Sequence, residues 1–317
     1  MTSTRSTLLI VHDPAYAGWA FNPSHPTQGR RFVNGYEAIQ TACASHNLEP
    51  LVMSPGMPDR KLLARVHTDR YVSEVIDNHH SGEWHGERSD LAHLAQLFVG
   101  GTLTALDALL AGRTRTAIHL PGAKHHAQAN ASSGFCVFAD FALAALIARD
   151  AGHRVAILDI DAHHGDGTEN LVGGSDAVLT FSVHQLGIFP GTGNSSEPTR
   201  SIYNIGLHAG DADDELIAAV ETFINTAAAF RPTMIFIAAG ADGLRDDPLT
   251  GLHYTVQGLA QACSMVRHAY PALPFLMGGA GGYLPDTGTP EAWSAMAIAL
   301  AQPATDRVAK LGRPPSE

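Results

Sequence analysis

The stretch Arg154-Val-Ala-Ile-Leu-Asp159-Ile-Asp161-Ala-His163-His164-Gly165-Asp166-Gly167 sets an apolar run directly against a dense polar cluster. The apolar half, Arg154–Ile160, reads as a strand that delivers the polar half at its end. Short runs rich in Val, Ile and Leu recur at Leu8–His12, Leu48–Met53, Thr116–Leu120, Ala177–Val183, Ser201–Gly206, Thr233–Ala239 and Pro274–Met277. Between most of them the spacing turns helical, at Phe32–Ser45, Asp69–Asn78, Leu91–Leu110, Ala139–Ala151, Asp214–Phe230, Val256–His268 and Pro290–Ala301. Such alternation is the signature of parallel strands joined by crossover helices. The expected fold is α/β: a single-domain, doubly wound sheet of about eight parallel strands flanked by helices, over residues 1–306. The polar, proline-containing end, residues 307–317, reads as a loosely ordered C-terminal tail.

With 317 residues, 45% of them hydrophobic, the chain can bury a large core, which excludes a disulfide mini-protein or a disordered tail. A formal charge of −11 without a run of Lys or Arg argues against nucleic acid as a ligand. Cys43, Cys136 and Cys263 are too scattered for a disulfide framework or a thiolate zinc cluster. Met1–Thr7 does not resemble a signal peptide, and no stretch approaches the roughly 20 apolar residues of a membrane span, so a cytoplasmic protein without a membrane partner is expected. Histidine is in excess: 18 residues against 20 Lys and Arg together, a composition that points to metal or proton chemistry.

Four long connections, Pro14–Arg31, Pro121–Phe138, Asp161–Asn170 and Gly240–Tyr254, follow strand ends, where ligands bind in open α/β sheets. On an extended strand Asp159, Asp161 and His163 share a face, and a carboxylate with an imidazole two residues away suits a zinc-type cation. Asp242, in Gly240-Ala241-Asp242-Gly243, can supply a third ligand, and three protein ligands leave positions open, as a catalytic site requires. Taken singly, Asp166 can equally cap a helix and Asp242 can equally make an Asx-turn. His125 and His126, after the strand Thr116–Leu120, suit proton transfer. The glycines of Gly278-Gly-Ala-Gly-Gly282-Tyr283 can place the tyrosine hydroxyl in a cleft; without a following Lys or Ser/Thr they do not form a phosphate loop.

Together these segments, with His12-Asp13, His25-Pro26 and Val66-His67-Thr68-Asp69, resemble the histone deacetylase superfamily, which includes acetylpolyamine amidohydrolases and the bacterial acetoin-utilisation deacetylases. The resemblance spans nearly the whole chain and implies the arginase/deacetylase fold. It implies Zn2+, with Fe2+ an alternative, on Asp161, His163 and Asp242. It makes His125 and His126 the tandem histidines, oriented by Asp159 and Asp166, and Tyr283 the oxyanion donor. Phe135 and Phe189 become tunnel walls, with Gly134 and Leu249 as further lining positions. A structural K+ or Na+ near Asp159 and Ser182 is also implied. The implied reaction is hydrolysis of an N-acetylated amine, whether a lysine side chain, a polyamine or a small metabolite, to acetate and free amine; a catalytically silent acyl-amine binder and a homo-oligomer are also compatible with the sequence.

Two departures stand out. Where many family members carry Gly-Glu-Asp at the rim, this chain has Gly82-Glu83-Trp84, so either Glu83 replaces the acidic clamp or Trp84 shapes the entrance. Ala123-Lys124 precedes the histidine pair in place of glycine and an apolar residue; the lysine either lowers the pair's pKa values or faces solvent. Arginase-type enzymes share the fold but bind two Mn2+, and Gly165 and Gly240 stand where their additional aspartates belong.

Overall fold

The structure is a computed structural model and describes residues 8–302. Its first half runs β1 (Leu9–Val11), α1 (Arg30–Ser45), β2 (Leu51–Met53), α2 (Arg60–Leu63), α3 (Asp69–Ile76), α4 (Ser89–Leu110), β3 (Thr116–His119), α5 (Asp140–Asp150) and β4 (Val155–Asp159). The second half runs α6 (Asp166–Val172), β5 (Val178–Gln185), β6 (Ile202–Leu207), α7 (Asp213–Phe230), β7 (Met234–Ala238), α8 (Val256–Ala269), β8 (Phe275–Gly278) and α9 (Gly288–Ala301). The strands form one parallel sheet in the order β2-β1-β3-β8-β7-β4-β5-β6. All eight predicted strands are present, and the tail at residues 307–317 lies outside the described residues.

Helices cover both faces. α1, α9, α8 and α7 pack side by side in one layer, and α3, α4, α5 and α6 in the other. Strands β3, β4, β5, β7 and β8 are therefore buried at every position, which is why they read as continuous apolar runs. The edge strand β2 is only three residues long and leaves Leu51 and Val52 exposed. α4 corrects one expectation: it is long and apolar enough to cross a membrane, but 67% of its most apolar window is buried against the sheet and neighbouring helices, so its composition reflects a core helix. Two short helices were not predicted. Of these, α6 starts at Asp166 with Asp166 and Glu169 in its first turn, where acidic groups complement the helix dipole. All three cysteines are free and buried.

The order β3-β8-β7-β4 at the centre of the sheet brings four carboxyl ends together. The strand order switches across this region, since β3 and β4 are consecutive in sequence but separated by β8 and β7. Trp293 of α9 ties the edge down: its buried indole N–H is shared between Ala239 O at 3.0 Å and Gly279 O at 2.9 Å, just past β7 and β8. Replacing Trp293 by Phe leaves both carbonyls without this donor. The expected loss is about 2 kcal/mol, read as a lower urea midpoint with an unchanged m-value; an unchanged midpoint would show that the indole N–H contributes nothing.

Candidate active site

Each of the four central strands delivers part of one cluster. β4 leads into Asp161 and His163, β7 into Asp242, β8 into Tyr283 and β3 into His125 and His126. Asp161, His163 and Asp242 are buried, and their ligand-type atoms lie within 4.8 Å of one another. His163 Nδ1 stands 3.1 Å from Asp161 Oδ1 and 2.9 Å from Asp242 Oδ2. Asp161 Oδ2 accepts the Gly281 N–H at 2.6 Å, and Asp242 Oδ1 accepts the Ala162 N–H at 2.9 Å, so Asp242 bridges to β4 and makes no Asx-turn. Burial resists charge on His163, yet the two carboxylates overcome it and push its pKa up to about 11. Burial, reinforced by Asp161, lifts Asp242 to about 6. Two buried carboxylates around one ring nitrogen thus require a positive charge between them, and this donor set fits a metal ion.

The tandem histidines are held from behind. His125 Nδ1 donates to Asp159 Oδ2 at 2.7 Å, and His126 Nδ1 donates to Asp166 Oδ1 at 2.7 Å. Asp166 also accepts from Gln128 Nε2 at 2.8 Å; its carboxylate is spent on the histidine loop and does not cap α6. Both rings are buried, but their proton affinities diverge. Burial opposes the His125 charge, and Asp159 and Asp161 outweigh it, raising the pKa to about 9. Burial and the neighbouring His125 charge lower His126 to about 3. A charged and a neutral imidazole therefore stand with ring centroids 4.0 Å apart.

In front of them lies a cavity of about 360 Å3 lined by His126, Gly134, Phe135, His163, Ile188, Phe189, Leu249 and Tyr283. The predicted lining residues are all present; Ile188 is added. Gly134 has φ +54, and a Cβ there would fall onto the His126 ring. Phe135 follows in the left-handed region at φ +66, with its N–H donating to Glu83 Oε2 at 3.0 Å. Glu83 is thus turned inward and holds a tunnel wall, which corrects its expected place as a substrate clamp. Trp84 does not line the entrance either: its indole N–H donates to His79 O at 2.9 Å and its ring packs on Trp19 and Phe21. Behind Tyr283, Asp247 accepts the Tyr283 N–H at 2.8 Å and the Leu249 N–H at 3.0 Å.

Lys124 does not face solvent; it is 6% exposed, and its charge acts on His119 and Cys136. Its loop is set by Asp140, which accepts from Ala123 N at 2.9 Å and Lys124 N at 2.7 Å and so fixes Ala123 at φ +64. The sequence offered one signal for Asp140, an acid inside the apolar run Phe138-Ala139-Asp140-Phe141. Asp159 and Ser182 are in-register partners on β4 and β5, and the Ser182 hydroxyl bonds to His184 Nδ1 at 2.9 Å. Side chains at Gly165 and Gly240, which a second metal site requires, would fall onto Asp159 and Asp161.

This arrangement defines a hydrolase site with an acid–base pair beside a metal-type donor set. The histone deacetylase domain matches residues 25–300, and the chain belongs to the histone deacetylase family, whose members are deacetylases. It is 31% identical over 311 residues to the acetoin utilization protein AcuC of Bacillus subtilis (strain 168), covering 90% of this chain and 80% of that protein. It is 32% identical over 265 residues to histone deacetylase 8 of Xenopus tropicalis, covering 75% and 70% respectively. The crystal structure of the HDA15 HD domain superposes with a TM-score of 0.81 at 24% identity, over 94% of this chain and 91% of that one, and so shares its fold.

Because the folded His125 pKa of about 9 exceeds its ordinary 6.5, His125 contributes stability that is complete below pH 6.5 and is lost as pH rises through about 9. In the metal-free protein, Asp159→Asn should flatten the decline in urea stability between those values. An identical slope in wild type and variant would show that Asp159 does not hold the proton on His125.

Proposed function

We propose that the protein is a zinc-type, metal-dependent N-deacetylase of the cytoplasm that cleaves acetylated linear amines such as acetyl-lysine. The observation that carries this reading is the meeting of Asp161, His163, Asp242, His126 and Tyr283 around one narrow cavity. A divalent cation on Asp161, His163 and Asp242 would supply Lewis acidity toward an amide carbonyl and toward water. A K+ or Na+ beside Asp159 and Ser182 would neutralise part of the buried charge behind the site.

The protein's own groups divide the remaining work. Phe135, Phe189, Ile188 and Leu249 enclose the methylene stem of the amine by apolar contact and exclude bulky branches. His126 keeps Nδ1–H on Asp166, so its Nε2 carries the lone pair that accepts a proton from the attacking water. Burial and the nearby Asp242 charge hold the Tyr283 hydroxyl well above its ordinary pKa, so it remains a donor to the oxygen that gains charge. The proton collected at His126 then passes to the departing nitrogen, with the charged His125 beside it as a second donor. Water adds across the C–N bond, giving acetate and a free amine.

Two measurements test this. Acetate release from an acetyl-lysine peptide, acetylputrescine and acetylspermidine, with Zn2+, Fe2+ or Co2+ restored to chelated protein, should identify at least one turned-over pair; none across the whole set would refute the reading. Tyr283→Phe should lower kcat about 10²- to 10³-fold while the substrate still binds. A catalytically silent receptor would show no turnover in either protein and only a change in affinity.

A further inference from the structure

The cavity wall formed by Ile188 and Phe189 stands on backbone with little support of its own. Among the described residues the main chain of Ile188, Phe189 and Pro190 makes no hydrogen bond, and Phe189 is 49% exposed, so its ring packs on one side alone. That side faces the chemistry. The ring centroid lies 4.9 Å from that of His126 and 6.4 Å from that of His163, and a Cβ at Gly134 would meet the ring at 2.8 Å. Whatever fixes this segment must therefore act at its ends. Before it, the Leu186 N–H donates to Leu207 O at 2.8 Å, at the end of β6. After it come Thr192 and Gly193.

Both of these are held by histidines. Thr192 Oγ1 lies 2.8 Å from His164 Nδ1, and His164 Nε2 lies 2.9 Å from Glu169 Oε2. A carboxylate can only accept, so the neutral ring donates Nε2–H to Glu169 and its Nδ1 accepts from the Thr192 hydroxyl. Glu169 Oε2 is fixed in turn by Asn204 Nδ2 of β6, at 2.8 Å. Gly193 O accepts from His184 Nε2 at 3.1 Å, and at φ +77 Gly193 has no room for a side chain, since a Cβ would fall on the His164 and His184 rings. The Gly193 bond pins the main chain at one point. The Thr192 hydroxyl adds a second, and two points fix the direction in which the chain runs back to Phe189.

The other ends of this relay sit beside the reacting groups. His164 is buried and follows the metal-type ligand His163 in the chain, while Glu169 lies three residues after Asp166, the acceptor that holds His126. One turn and one short helix thus set the wall in register with the donor set and the base. Resting on the deacetylase reading above, we infer that Thr192 is a positioning residue of the tunnel. Its hydroxyl, held by His164 and Glu169, fixes the Phe189 wall and so sets the width of amine stem that the site admits. Thr192 does not line the cavity and acts through Phe189.

The test uses the metal-loaded full chain as wild type, as Thr192→Val, which keeps the side-chain shape without the hydroxyl, and as Thr192→Ser, which keeps the hydroxyl. Two peptides carry the same acetamide on different stems, acetyl-lysine and 4-(acetamidomethyl)phenylalanine, whose stem is widened by a ring. In Thr192→Val the KM for acetyl-lysine should rise about fivefold or more with kcat within about twofold, and the kcat/KM preference for the slim stem should shrink by a similar factor. Thr192→Ser should restore both. Amide hydrogen exchange over residues 186–194 should be faster in Thr192→Val than in wild type and return in Thr192→Ser. Unchanged exchange with an unchanged KM overturns the inference. So does faster exchange with KM and stem preference unmoved, which would make the hydroxyl a tie for the loop without influence on the tunnel. An equal loss of kcat on both substrates with a lower melting temperature also overturns it, as general destabilisation. If wild type cleaves neither peptide, the deacetylase reading fails, and the exchange comparison alone decides whether Thr192 holds the wall.

Discussion

The site depends on keeping Asp161 and Asp242, both essentially without solvent contact, within reach of one imidazole nitrogen. Their mutual repulsion in a medium of low polarity is large, so the fold must supply fixed donors and a cation. The Gly281 and Ala162 amides supply the donors, from the ends of β8 and β4. That explains why the cluster sits where central parallel strands stop. Amides no longer used in the sheet ladder become available there, and two glycines let neighbouring backbone come close enough to offer them or to admit the side chains. A site assembled from loop tips would lack the rigidity to hold like charges together.

The same constraint explains what could be read in the sequence. Strands β3, β4, β7 and β8 are legible because burial on both faces demands uninterrupted apolar runs. Asp161 and His163 follow from the two-residue period of an extended chain, and Asp242 from its position after a buried strand. The family likeness supplied the tunnel walls, which spacing does not specify. What remained hidden depends on side-chain direction after irregular backbone. Lys124 turns inward because Ala123 adopts a left-handed conformation gripped by Asp140, whose partners lie 16 and 17 residues earlier in the chain. Glu83 reaches Phe135 across 52 residues, a pairing that no local pattern encodes.

Two carboxylates outside the metal-type cluster, the buried Asp140 and the half-buried Glu83, thus carry parallel duties. Asp140 fixes the backbone that presents His125 and His126, and Glu83 fixes the backbone that presents Phe135. Each spends its acceptors on main-chain amides at a non-glycine residue with positive φ, where strain must be held by the surroundings. Geometry at the reacting atoms is therefore bought with acids that do not touch them. Asp247 plays the equivalent part for Tyr283 and Leu249.

The buried histidines follow the same line. Beyond His125, His126 and His163, several buried histidines act as neutral cross-links, because an uncharged imidazole offers one donor and one acceptor on opposite sides of a flat ring. His67 accepts the Ala139 amide at Nε2 and so donates Nδ1–H to Gln128 O, joining the approach to α3 with both ends of the histidine loop. His119 spans Tyr16 and Thr102, and His184 spans Ser182 and Gly193 O. Burial lowers the pKa of all three, to about 4 for His67 and His184 and about 3 for His119, which keeps them neutral. A lysine or arginine in these places would add charge to a region that already holds Lys124 and Arg31, and an amide side chain would not match the span of the ring. The buried histidines thus divide between uncharged bridges and proton carriers, whereas most of the chain's 18 histidines are half-buried or exposed and take no part in either.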